Sequence, residues 1–195
     1  MRILMLGNSF TFAQNMPQML AQLTGGEVVQ HTRGGARLSE QLNPKTRLGA
    51  MTRKALAEEK WDYVVLQEMS NGPFTAPASF FDSVARLCTL IRANGAVPIL
   101  YATWAYRKNS AELAYRNWDY DEMAQKLANA YSRAAKDNGA LLAEVGKRFY
   151  ALSATQNLYE EDGMHPNEAG VRIAAETIAA VIARQEEDNR GSHNL

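Results

Sequence analysis

The sequence has few of the residues that cross-link small proteins or bind zinc. Its 195 residues include one cysteine, Cys88, and three histidines. A single cysteine cannot form a disulfide within the chain, and structural zinc sites usually use several cysteine ligands. Cys88 lies in a helical pattern, where a free cysteine is ordinarily a packing residue. The sequence therefore predicts neither a disulfide framework nor a cysteine-based zinc site.

The chain also lacks net charge and long apolar runs. Lys and Arg total 21, as do Asp and Glu, so the formal net charge is +0. This excludes a whole-chain basic field for nucleic acid or a membrane surface. No run approaches the ~20 apolar residues of a membrane span, and Ile3 to Leu6 is too short for a secretory signal. We expect no nucleic-acid or membrane partner and a cytoplasmic location. The oligomeric state stays open, a homo-oligomer included.

What the sequence does have is a regular alternation of strand and helix patterns. Hydrophobic residues make up 46% of the chain, enough for a proper core. Nearly continuous apolar runs predict strands at 2–6, 27–31, 62–67, 96–104 and 140–145. Helical periodicity follows each of them, for example at 78–94 and in the C-terminal stripe of 171–182.

This alternation predicts an α/β three-layer sandwich. Its centre is a mostly parallel five-stranded sheet, and helices cover both faces. Without a linker or repeat, we expect one domain over residues 1–185. Residues 186–195, which include the stretch "EEDNRGSHNL", have no apolar periodicity and are predicted to be a flexible tail.

Polar residues and glycines cluster where the predicted strands end. In parallel sheets, ligands bind at the carboxyl ends of the strands. The candidates there are Gly7, Asn8, Ser9, Gly34, Gly35, Gln67, Glu68, Ser70 and Asn71, and "EEDGMHPNEAG" precedes the last helix.

A serine nucleophile needs a base, and the base needs an orienting partner. His31 lies in a strand and His193 in the tail, whereas His165 lies in a loop three residues after Asp162. Taken alone, Gly7 to Ser9 is more simply a capped turn, and 162–170 a turn with a helix start. Their joint occurrence at strand ends of one α/β chain favours a catalytic site. An oxyanion there needs N–H donors, which the Ser9 backbone, Gly34 or Gly35, and a strand-end amide can supply.

With these motifs, the sequence resembles the SGNH (GDSL-like) hydrolase superfamily of serine esterases, in its bacterial "GNSFT" branch. Gly7-Asn8-Ser9 matches the first block of the superfamily, and Asp162-Gly163-Met164-His165-Pro166 matches the last. The resemblance implies a flavodoxin-like fold, with Ser9 as nucleophile, Asp162 as acid and His165 as base. It implies no metal and no cofactor.

The resemblance also implies an oxyanion hole made by Ser9, Gly35 and Gln67, with Gly34 and Asn71 as the alternatives. Here the sequence departs from the pattern, because the superfamily usually ends its third strand in Gly-x-Asn-Asp and this chain has "LQEMSN".

The implied function is hydrolysis of a small-molecule ester with a short acyl group, with O-acetylated carbohydrate as the favoured class. A thioesterase or acyltransferase on the same triad, and a non-catalytic α/β binding module, remain alternatives. A nucleotide site is disfavoured, because no Gly-rich phosphate motif follows the first strand.

Overall fold

The computed structural model describes residues 1–192. The sheet has 5 strands in the order β2-β1-β3-β4-β5, and every neighbouring pair is parallel. The strands are β1 (Arg2–Gly7), β2 (Glu27–Thr32), β3 (Tyr63–Leu66), β4 (Val97–Tyr101) and β5 (Leu141–Ala143). Because β1 is flanked by β2 and β3, the chain segments that follow these three strands meet at one edge of the sheet.

The helices cover both faces of this sheet. In chain order they are α1 (Ser9–Phe12), α2 (Met16–Thr24), α3 (Leu38–Leu42), α4 (Arg47–Glu58), α5 (Gly72–Thr75), α6 (Pro77–Asn94), α7 (Ala111–Arg116), α8 (Tyr120–Asn138), α9 (Val145–Leu152) and α10 (Glu168–Ser192). Helix α8 shows the capping residues that are typical of helix ends. Helix α8 starts after Asp119, whose side chain accepts from the Glu122 N–H, and it ends at Gly139 in the left-handed region.

Alternate residues of each strand enter different cores, as the two-residue strand period requires. Ile3 and Met5 of β1 pack in one core together with residues of α2, α9 and α10. Leu4 and Leu6 pack in the other, together with residues of α6 and α8. Cys88 is fully buried in this second core, and burial raises the pKa of its thiol to about 11. The predicted α/β sandwich with helices on both faces is confirmed.

Strand β4 is shorter than the sequence predicts. It ends at Tyr101, whereas the apolar run continues to Trp104. Strand β4 ends there because the neighbouring strand β5 ends at Ala143, which pairs with Tyr101. The following residues leave the sheet and turn toward the site described below.

The structure describes part of the predicted tail as helical. Helix α10 continues through residues 186–192, and residues 193–195 lie outside the described range. The Tyr63 hydroxyl donates to Glu186 Oε1 at 2.5 Å, so a buried tyrosine of β3 holds this part of the helix. None of the helices within residues 1–192 is long and apolar enough to cross a membrane.

Candidate active site

Ser9 opens a tight turn at the carboxyl end of β1. Asn8 is extended and caps α1, with its Oδ1 accepting from the Phe10 N–H at 3.1 Å. The Asn8 N–H in turn donates to Gln67 Oε1 at 2.9 Å. These two bonds fix the backbone on both sides of Ser9, so the serine is the first residue of a helix rather than the last residue of a strand.

Gly7 ends the strand because there is no room for a side chain. A Cβ atom at this position would lie 2.3 Å from Thr11 Oγ1 and 2.6 Å from Gln67 Oε1. The Thr11 hydroxyl donates to the same Gln67 oxygen at 3.0 Å. Glycine therefore lets the turn close directly over a buried polar group.

Ser9, His165 and Asp162 form one hydrogen-bonded chain. Ser9 Oγ lies 2.9 Å from His165 Nε2, and His165 Nδ1 lies 2.5 Å from Asp162 Oδ2. An ionised carboxylate only accepts, so Nδ1 carries a proton and Nε2 is left to accept from the Ser9 hydroxyl. The 156 residues between serine and histidine are bridged by the fold alone.

Hydrogen bonds within the loop that carries Asp162 and His165 hold its shape. The backbone N–H of Met164 and that of His165 both donate to Asp162 Oδ1, at 2.8 and 2.9 Å. Partial burial acts to raise the pKa of Asp162, but the bonds from the His165 ring and from these two amides outweigh it and hold the pKa below its usual range. Asp162 is therefore ionised at neutral pH and can stabilise a positive imidazolium.

Several backbone N–H groups at this edge have no hydrogen-bond acceptor within residues 1–192. Those of Ser9, Gly34 and Gly35 are among them. Gly35 has φ +66, which glycine adopts without strain. Asn8 Nδ2 donates to the Ala36 carbonyl at 3.0 Å and so ties the Gly35 loop to the serine turn. Of the two glycines considered, Gly35 is the one in the left-handed conformation.

The comparison with known proteins agrees with this geometry. The sequence model of the GDSL-like Lipase/Acylhydrolase family matches residues 5–173. The chain belongs to this family. It is a hydrolase of the SGNH/GDSL superfamily, as its first and last motifs predict. Curated proteins, by contrast, include no match to the chain.

Solved structures with the same fold include one close relative of this GDSL-family chain. A protein from Slackia heliotrinireducens, described as a candidate SGNH hydrolase, is 53% identical with a TM-score of 0.91, over 93% of this chain and 98% of that one. A DUF4886 family protein from Bacteroides uniformis is 23% identical (TM-score 0.69, over 93% and 82%). Axe2, an acetylxylan esterase from Geobacillus stearothermophilus, is 16% identical (TM-score 0.69, over 93% of each chain). The last two similarities show the fold alone.

Gln67, which the resemblance implies as an oxyanion donor, makes several hydrogen bonds within the protein. Its side chain is 1% exposed and lies beneath the serine turn, where Oε1 accepts from Asn8 and Thr11. Nε2 donates inward, to the Glu68 carbonyl at 2.5 Å. Gln67 thus stabilises the serine turn of this GDSL-family site through its hydrogen bonds.

Asn71, the alternative donor, is also engaged. It is 8% exposed, its Nδ2 donates to the Tyr106 hydroxyl at 3.1 Å, and its Oδ1 accepts from Thr75 Oγ1 at 3.3 Å. The side-chain amides of Gln67 and Asn71 are thus both engaged within the protein, whereas the backbone N–H groups of Ser9, Gly34 and Gly35 have no acceptor within residues 1–192.

Sequence reasoning missed the segment that follows β4. It contacts the Asp162–His165 loop at several points, such as the Arg107 N–H, which donates to the Gly163 carbonyl at 2.7 Å. The Tyr159 hydroxyl donates to the Ala105 carbonyl at 2.9 Å. The signal was the aromatic run "YATWAY", whose contacts are long-range in sequence and invisible to local pattern analysis.

One cavity of this GDSL-family chain lies away from the three triad residues. A cavity of about 590 Å³ lies between α8 and α9, lined among others by Thr103, Gln125, Glu144 and Tyr150. None of Ser9, Asp162 and His165 lines it. Within residues 1–192 there is also no group of three or more His, Cys, Asp or Glu side chains that could hold a metal ion.

Proposed function

We propose that this chain is a carboxylic ester hydrolase in which Ser9 is the nucleophile, His165 the base and Asp162 its orienting acid. The observation that carries the proposal is the continuous hydrogen-bonded chain from Ser9 Oγ through the imidazole to the Asp162 carboxylate. This is the arrangement of groups that a serine hydrolase needs, with each donor and acceptor in the required order.

Acylation begins when Ser9 Oγ attacks the ester carbonyl carbon and its proton passes to His165 Nε2. The imidazolium that forms is stabilised by ionised Asp162 through the Nδ1–H bond. When the tetrahedral intermediate collapses, the ester C–O bond breaks and the leaving alkoxide takes the proton from Nε2. An acyl-Ser9 ester and a free alcohol result.

The negative oxygen of the tetrahedral intermediate would be held by the Ser9 and Gly35 N–H groups. Each donor of this kind contributes roughly 3 kcal/mol to transition-state stabilisation in comparable hydrolases. Because both donors are backbone groups fixed by Asn8 at the turn and at Ala36, they need little reorganisation as the charge develops.

Deacylation repeats the same steps with water. His165 Nε2 takes a proton from water, the hydroxide attacks the acyl carbon, and the bond to Ser9 breaks as Oγ recovers its proton. The carboxylic acid leaves and the resting site returns. The chain's own residues supply every proton transfer in this cycle.

For the substrate we propose short acyl esters, with acetyl groups on carbohydrate as the favoured class. Axe2, which shares the fold, is named as an acetylxylan esterase. Phe10 fills the space beside the serine turn and is 2% exposed. The cavity between α8 and α9 is lined by none of the triad residues, which supports a short rather than a long acyl group at Ser9.

A substrate series tests both levels of the proposal. The purified chain is assayed with p-nitrophenyl acetate, butyrate, octanoate and palmitate, and for acetate release from acetylated xylan and acetylated monosaccharides. We expect kcat/KM to fall as the acyl chain lengthens, and Ser9→Ala to be inactive throughout. A maximum at octanoate or longer would contradict the short-acyl proposal, and hydrolysis by folded Ser9→Ala would contradict the mechanism.

A further inference from the structure

Trp104 occupies an unusual place in relation to the triad. It lies just after β4 and is 1% exposed, among the largest fully buried side chains of residues 1–192. Its indole ring is sandwiched between two phenylalanines. The Phe149 ring is stacked on it at 4.0 Å with an interplanar angle of 8°, and the Phe10 ring at 4.6 Å and 5°.

On one side, the indole contacts the residue next to the nucleophile in the sequence. Phe10 is the residue directly after Ser9, in the same short helix α1. Its carbonyl also accepts from the Tyr101 hydroxyl at 3.2 Å. A ring held face to face against a buried indole cannot shift sideways without losing that contact, so the stack fixes the position of α1 and of Ser9 on it.

On the other side, the indole contacts the residue next to the base in the sequence. Trp104 Nε1 donates to the carbonyl of Met164 at 3.1 Å, and Met164 is the residue directly before His165. The Phe10 ring also meets the His165 ring edge-on, at 5.5 Å and 77°. One buried side chain therefore contacts the sequence neighbour of the nucleophile and the sequence neighbour of the base.

We propose that Trp104 is a positioning residue that sets the Ser9–His165 geometry. The inference rests on the proposed serine-esterase function and adds to it a residue outside the triad. Its N–H donates to the His165 loop and its ring face packs on the Ser9 helix, so one rigid group links the two segments whose side chains lie 2.9 Å apart at Ser9 Oγ and His165 Nε2. Misplacement of reacting groups by about 1 Å costs on the order of 100-fold in rate.

The chain offers a matched control in Trp61. It is 4% exposed, and its Nε1 donates to the Ala55 carbonyl at 3.1 Å, the same bond at the same length. Trp61 packs in the core on the other face of the sheet, apart from Trp104. Trp61→Phe and Trp104→Phe thus each remove a buried indole N–H bond to a backbone carbonyl, one far from the triad and one beside it.

The experiment measures kcat, KM and urea stability for the full chain and both variants, together with the rate at which a fluorophosphonate inactivates them. Wild-type activity that disappears in Ser9→Ala establishes the proposed function first, and its absence would refute that function rather than this inference. We expect Trp104→Phe to lower kcat and the inactivation rate by about 10- to 100-fold, with KM within about threefold of wild type. Trp61→Phe is expected to lose stability alone.

A folded Trp104→Phe protein with kcat within about threefold of wild type would overturn the proposal, because the indole would then be packing only. If Trp104→Phe does not fold, Phe10→Leu gives the second test, since it removes the same stack from the Ser9 side. It is expected to lower kcat at nearly constant KM, and wild-type kcat in folded Phe10→Leu would overturn the proposal in the same way.

Discussion

Replacing Gln67 with methionine should destabilise the protein, because two buried donors would lose their acceptor. Gln67 Oε1 accepts from the Asn8 N–H at 2.9 Å and from the Thr11 hydroxyl at 3.0 Å, and both donors are buried. Methionine is similarly long but accepts only weakly. A buried group left without its hydrogen bond costs about 1–3 kcal/mol, so with two such donors we expect Gln67→Met to lower the free energy of unfolding by about 2–6 kcal/mol.

A double-mutant cycle separates this cost from general repacking. Thr11→Val removes one of the two donors in a side chain of nearly the same shape. In the Gln67→Met background it removes a hydroxyl that already lacks an acceptor, so it should cost less there than in the wild type. We expect a coupling of about 1–2 kcal/mol between the two positions.

The assay is urea unfolding, with stability read from the midpoint and the slope. A Gln67→Met protein within about 0.5 kcal/mol of wild type, with kcat about 100- to 1,000-fold lower, would refute the reasoning. That combination is what loss of an oxyanion donor produces, and it would return Gln67 to the role that the sequence predicts.

Two further predictions follow from the titratable groups. Asp162→Asn should lower kcat by up to about 10⁴-fold with little change in KM, because the ring would adopt the wrong tautomer; kcat within tenfold of wild type would contradict the role of Asp162. Burial lowers the pKa of His31, although Glu59 acts in the opposite direction, and His31 Nδ1 lies 3.1 Å from Thr52 Oγ1. The stability that neutral His31 supplies is complete above its ordinary pKa of 6.5 and is lost as pH falls from there through the lower folded value. The wild-type advantage over His31→Asn in urea unfolding should therefore shrink between about pH 7.5 and about pH 5, and a constant advantage would contradict the assignment.

The sheet could be predicted because each strand has a recognisable apolar pattern in its own sequence. The neighbours Val64 and Val65 are both fully buried, one on each face of the sheet, which requires the continuous apolar runs seen in the sequence. The short helices α3, α5 and α7 could not be predicted, since four to six residues are too few to show a helical period. The far end of α10 was missed for another reason: its hold on the sheet comes from Tyr63, more than 100 residues away in the chain.

The site residues could be predicted where few residues of the required type exist, or where the partners lie close together in the sequence. Three histidines leave few bases to consider, and Asp162 reaches His165 across three residues. The surroundings of Gln67 could not be predicted, because the sequence places this residue at a strand end without saying whether its side chain points outward or beneath the turn. Phe10 and Phe12 show the same difficulty, because the first is 2% exposed and the second 41%. Trp104 acts through contacts that only the folded chain creates.

Covalent labelling tests directly whether Ser9 is the nucleophile. The chain is treated with a fluorophosphonate, and the adduct is measured by intact mass and located by peptide mapping. We expect one adduct per chain, on Ser9, with none formed by Ser9→Ala and slow formation by His165→Ala. A fluorophosphonate adduct on another residue, or active Ser9→Ala protein that labels at the wild-type rate, would contradict this expectation.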